Sequence, residues 1–173
     1  MKIYIYIAIL LIAAACKPHN NPTPSITQVD SIYTTADIKA HGDYYKSGHQ
    51  VYAIDLLSEG LSYDSLGYII GSGYNLFLSD IFAPKDCTTH LPAGTYLMDS
   101  IAKEMTFLHG MYFEPNLTGT YLLEIKENKI QRITLFTAGS MIIDYIDEDT
   151  LLNFNLYTSD STHYRATFHG YVH

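Results

Sequence analysis

From residue 31 onward, apolar side chains recur at every second position, and the runs are broken by Gly, Asp, Asn and Ser. That period places alternate side chains on opposite faces of a strand. No stretch after residue 30 keeps the 3.6-residue period of a helix. The pattern predicts strands near 33–40, 50–58, 67–71, 74–82, 93–98, 104–113, 119–126, 129–136, 140–146, 150–157 and 162–172. A short helix over 99–105 is the main helical expectation. "YLLEIKENKIQRITLF" reads as a hairpin turning at Glu127-Asn128, since Asn at a tight turn tolerates the positive φ that the turn needs. The last third, "SMIIDYIDEDTLLNFNLYTSDSTHYRATFHGYV", reads as three consecutive strands joined by acidic and Ser/Asp turns.

So many short strands in one chain predict an all-β domain. The preferred reading is an antiparallel β-sandwich of about ten strands, and the alternative is a closed, calycin-like β-barrel. "YNLFLSD" (74–80) and "FNLYTSD" (154–160) share a pattern offset by 80 residues. A duplicated half would favour two packed sheets, whereas the C-terminal meander suits a barrel.

The N-terminus follows a different pattern. Lys2 precedes thirteen residues, 3–15, that are all apolar or tyrosine. That run is shorter than the ~20 residues that span a bilayer and fits a secretory signal. It ends in Ala13-Ala14-Ala15-Cys16, which resembles the lipobox of bacterial lipoproteins, with Ala13 where leucine is usual. The resemblance implies cleavage before Cys16 and acylation of that cysteine. Residues 17–30, "KPHNNPTPSITQVD", hold three of the six prolines and few bulky apolar groups. They read as a tether that cannot order itself by burial. The expected organisation is therefore a signal over 1–15, a lipidated cysteine and tether over 16–30, and one domain over 31–173. The expected location is the outer membrane, lipid-anchored, facing the periplasm or the surface.

"LPAGTY" (91–96) and the terminal Y-x-A-x-F-x-G (164–170) resemble small lipoproteins of the Bacteroidetes type. These patterns imply a fold style and no activity. Asp-(Ser/Thr)-x resembles the O-glycosylation acceptor of secreted proteins of that lineage. It occurs at Ser31, Ser65, Ser100, Thr150 and Ser161, five matches where chance gives about one. Asp-Ser and Asp-Thr also start turns in any β-protein, which is the plainer account of the motif.

Charge narrows the partners. The net charge of −8 disfavours phosphate backbones, so nucleic acid is not expected. With Cys16 acylated, Cys87 has no disulfide partner, and the fold must stand on its core. Cys87 and His90 in "PKDCTTHLP" have no orienting third group in sight. No Gly-rich phosphate loop, G-x-S-x-G or H-E-x-x-H occurs. Asp144, Asp147, Glu148 and Asp149 read as a solvated turn. No cofactor is expected.

The end of the chain, "HYRATFHGYVH" (163–173), concentrates histidine and arginine. On a strand, His163, Arg165, Thr167, His169, Tyr171 and His173 share one face, and Tyr164, Ala166, Phe168, Gly170 and Val172 share the other, the core side. Same-face neighbours are ~7 Å apart, so these histidines cannot chelate one ion without help from another strand. The face reads as solvent-exposed, with His163, Arg165, His169, Tyr171 and the more distant Tyr74 as ligand-binding candidates. Sixteen tyrosines and no tryptophan suit half-buried sheets and ligand platforms alike. The functional expectation is an anchored, non-catalytic binding module for a glycan, a small ligand or an envelope protein. Alternatives are a lipocalin-like barrel carrying a small apolar ligand, and an envelope hydrolase whose residues meet only in space.

Overall fold

The computed structural model describes residues 31–172. The signal, Cys16, the tether and His173 lie outside the described residues. Fourteen strands follow one another: β1 (Ser31–Gly42), β2 (Gln50–Ser58), β3 (Leu61–Tyr63), β4 (Ile69–Gly71), β5 (Gly73–Ala83), β6 (Gly94–Asp99), β7 (Thr106–Leu108), β8 (Met111–Phe113), β9 (Asn116–Thr118), β10 (Thr120–Lys126), β11 (Lys129–Leu135), β12 (Ala138–Ile146), β13 (Asp149–Tyr157) and β14 (His163–Gly170). The all-β expectation is met. The expected helix over 99–105 is instead a bend and turn, in which the Asp99 carboxylate accepts the Ile101 amide at 3.1 Å and pairs with Lys103 at 2.9 Å.

Eight strands close on themselves in the order β5-β2-β1-β14-β13-β12-β6-β7, and β7 returns to β5 through Ile81↔Phe107 and Phe82↔Thr106. The closed barrel, rather than two packed sheets, is therefore the architecture. Closure removes the unpaired edges that a sandwich leaves. Two ladders are parallel, β1–β14 at Ser31–Tyr33 and β6–β7, so the barrel is not a simple meander. The outer edge of β5 is shared. Its first half pairs with β10, which carries β11 outward as a hairpin, and its second half pairs with β7.

The repeated heptamers do not occupy equivalent places. Residues 74–80 lie wholly within β5, whereas 154–160 run off the end of β13 into a turn. Leu76 and Leu156 both enter the core, as their alternation requires.

The barrel interior is filled. Ile54, Leu56, Leu78, Tyr96, Phe107, Met141, Ile143, Leu152 and Phe168 are all at most 2% exposed. Interior positions of eight-stranded barrels are just wide enough for this. A smaller cluster, Leu57, Leu61 and Ile125, seats the β3–β4 hairpin on the outside. Gly71 makes that seating possible: its φ is +108°, and a Cβ there would sit 2.0 Å from the Gly60 carbonyl oxygen.

Candidate functional site

The two ends of the barrel differ. One is closed by Tyr33, Phe136, Leu156 and Tyr164, with Phe136 meeting the Tyr164 ring edge-on at 5.2 Å. Burial, with the neighbouring phenols of Tyr164 and Tyr74, raises the Tyr33 phenol well above its ordinary value. Tyr74 packs against this core, so it is a wall of the closed end and not a free platform.

The opposite end is open and partly roofed by the loop over 84–93. Three tyrosines strap that loop down through their hydroxyls. Tyr52 donates to the carbonyls of Cys87 (2.5 Å) and His90 (3.1 Å), Tyr96 to Pro92 (3.0 Å), and Tyr145 to Leu91. Each phenol is raised, in every case first by burial, so each stays a donor throughout the physiological range. Backbone carbonyls of a loop need partners when drawn over a core, and the tyrosines supply them. Leu91 descends from the loop into the barrel and is 1% exposed.

Between the strapped loop and the rim lies a half-open cup of about 290 Å³. Ile38, Ala40, Leu91 and Val172 give it apolar walls, while Thr150 and His90 supply polar atoms. The His90 imidazole is engaged with the Thr89 hydroxyl at 3.0 Å and stands edge-on to Tyr145 at 6.1 Å. Cys87 is half-buried against the core, and its carbonyl serves the loop strap. The Cys–His arrangement that the spacing suggested therefore has a structural use for both residues.

The candidates on β14 separate. Tyr164, Ala166, Phe168 and Val172 face the core as expected. His163 does not face solvent: it is 7% exposed, stacked on Tyr157 at 4.5 Å and bonded through Nε2 to Asn155. Tyr157 is its direct cross-strand partner on β13, and that ring covers it. Arg165 is exposed and borders a shallow outer depression of about 320 Å³ with Asn153, Asn155 and Thr167. His169 stands at the open end, its Nε2 3.5 Å from an Asp149 carboxylate oxygen, and Tyr171 is exposed beyond the strand. The five candidates thus do not form one site.

Of the glycosylation candidates, Ser65, Ser100 and Ser161 are exposed at turns, and Ser31 opens β1. Thr150 is a correction: it is 5% exposed and lines the cup, so its hydroxyl is not presented on the surface. The aspartates of three motifs cap their own turns. Asp64 accepts the amides of Leu66 and Tyr68, Asp99 that of Ile101, and Asp160 that of Thr162. The cup was missed from the sequence because it is assembled from β1, β2, the 84–93 loop, β12, β13 and the residues after β14. The only local signal was the unusual number of tyrosines.

The chain matches no protein-family model, no curated protein and no solved structure.

Proposed function

We propose that this chain is a lipid-anchored envelope protein that binds a small, mainly apolar ligand at the mouth of its barrel, without catalysing a reaction on it. The observation that carries the reading is the cup itself. One end of the barrel is plugged by aromatic side chains, and the other is held open beneath a loop fixed by three tyrosine hydroxyls. Its volume of about 290 Å³ lies at the lower bound of small-molecule sites, about 300 Å³. Apolar walls with a few convergent polar atoms are the usual make-up of such a site. The packed interior limits the ligand to the mouth, unlike the deep lumen of a lipocalin-like carrier.

Ala40 tests the reading, because it lines the cup and is itself exposed. Ala40→Trp fills the cup without disturbing the core. The fluorescent apolar probe N-phenyl-1-naphthylamine binds the wild-type domain saturably and binds the variant at least about tenfold more weakly, which corresponds to ~1.4 kcal/mol. Equal affinity in two proteins with equal thermal melts would discard the cup as the site.

The anchor is tested separately. A palmitate analogue labels the wild-type protein in envelope-bearing cells and fails to label Cys16→Ala. Unchanged labelling refutes lipidation at Cys16.

A further inference from the structure

The outer wall carries a second cavity, back to back with the cup. Along β1, Ile38 and Ala40 line the cup, while His41 lines this outer cavity. Along β2, Tyr52 and Val51 divide in the same way. The cavity measures about 250 Å³ and is walled by Tyr44, Tyr45, Ser79 and Asp80 as well.

Asp80 is where it is because β5 bulges. Tyr52 faces Ile81 and Ile54 faces Leu78, so two residues, Ser79 and Asp80, stand opposite the single Ala53. Such bulges re-aim side chains and recur beside functional sites. Asp80 is 8% exposed. Its Oδ1 accepts the Tyr45 hydroxyl at 2.5 Å, and its Oδ2 accepts the Ser79 hydroxyl. Among the described residues no lysine, arginine or histidine forms an ion pair with it. A carboxylate this far from water normally has a cation beside it.

The loop over 43–49 supplies the opposite wall and is itself pinned, because the Asp43 carboxylate accepts the amides of Ser47 (2.8 Å) and Gly48 (3.0 Å). It presents two large rings that the core does not absorb. Tyr44 is 70% and Tyr45 is 50% exposed, and their rings are perpendicular with centroids 5.0 Å apart. Two aromatic faces set at right angles, with a carboxylate in the same cavity, match the chemistry of an ammonium site. A polyhydroxylated ligand would leave the Asp80 charge uncompensated. A hard metal ion would need more oxygen ligands than the single carboxylate offers.

We infer that this outer cavity binds a compact alkylammonium group, with its methyl or methylene groups against Tyr44 and Tyr45 and its charge toward Asp80. The overall net charge of −8 favours the approach of such a cation. The Tyr45 phenol is pushed up to about 12, first by its bond to Asp80 and then by burial, so it remains a neutral donor while the cation binds.

Titration of the whole domain with choline, and with its uncharged isostere 3,3-dimethylbutan-1-ol, tests the inference by calorimetry. Choline binds saturably and about tenfold or more tightly than the isostere, the range expected of a partly desolvated cation–π contact joined to a carboxylate. Asp80→Asn weakens choline about tenfold and leaves the isostere unchanged. Tyr44→Ala, at a position the core does not use, weakens choline several-fold with the thermal melt unaltered. Ala40→Trp, which blocks only the cup, leaves choline binding intact. Equal affinity for choline and the isostere, no saturable binding of choline, indifference to Tyr44→Ala, or loss of choline binding in Ala40→Trp would each overturn it.

Discussion

His163 and Arg165 stand two positions apart on the same face of one strand, yet they serve different ends. The imidazole is sealed between Tyr157 and Asn155, whereas the guanidinium lies in solvent. His163→Ala removes a ring stack and leaves the Asn155 side chain without that partner, which costs about 1–3 kcal/mol. Arg165→Ala costs within about 0.5 kcal/mol, the usual range for an exposed side chain away from such contacts. Urea denaturation of the two variants checks this, and equal destabilisation would show that the burial of His163 carries no weight. The same pair shows what strand alternation can tell. It assigned Tyr164, Ala166, Phe168 and Val172 to the core correctly, because a strand's inward face is a local property. It misplaced His163, because burial on the outward face depends on a tyrosine that only strand pairing brings over it. The Asp-Ser and Asp-Thr motifs are the converse case: their turn chemistry was readable from the residues alone, and the carboxylates at Asp64, Asp99 and Asp160 carry it out.

At the scale of elements, local signals were dependable and distant pairings were not. The β10–β11 hairpin turns at Glu127 and Asn128, both at positive φ (51° and 62°), as a two-residue turn between twisted strands requires. The β12-β13-β14 meander likewise follows from the order of strands and acidic turns. Missed were the three-residue strands β3 and β9, too short to show a period, and the break that divides the expected strand over 104–113 into β7 and β8. The decision between sandwich and barrel rests on the β5–β7 ladder and the parallel β1–β14 ladder. Both join segments far apart in sequence, and neither requires a motif of its own. The cup inherits the same obscurity, since its walls come from six separate segments. The outer ammonium cavity was half legible. Tyr44-Tyr45 stands in the sequence as an adjacent aromatic pair, but the bulge that turns Asp80 toward it has no signature in "FLSDIF".

Over the whole molecule, the tyrosines that strap the loop and line the core make the fold sensitive to alkali. Burial raises the phenols of Tyr33, Tyr63 and Tyr96 far above their ordinary value, and Tyr121 is pushed up to about 12, again first by burial. Tyr45 reaches about 12 through its bond to Asp80. In the unfolded chain these groups ionise near pH ~10. Below that value both states keep their protons and the fold has its full stability. Above it the unfolded state loses protons that the folded state retains, so stability falls as pH rises from about 10 through about 12. A spectrophotometric titration therefore shows two phases, the exposed tyrosines first and the buried ones together with loss of the far-ultraviolet β signal. Ionisation of all its tyrosines in one wave near pH ~10, with the β signal intact, contradicts this.

The parallel ladder between the start of β1 and β14 also sets the end of the barrel at which the chain enters. Ser31 pairs with Ala166 and Tyr33 with Phe168, so the chain enters the barrel at the stoppered end. Fourteen residues, 17–30, separate that entry from Cys16, a leash that reaches at most about 50 Å. An acyl group on Cys16 would keep the stoppered end nearer the bilayer and the cup farther from it. The ligand would then arrive from the aqueous compartment, not by lateral exchange from the lipid, and the supply route would be a consequence of where the first strand begins.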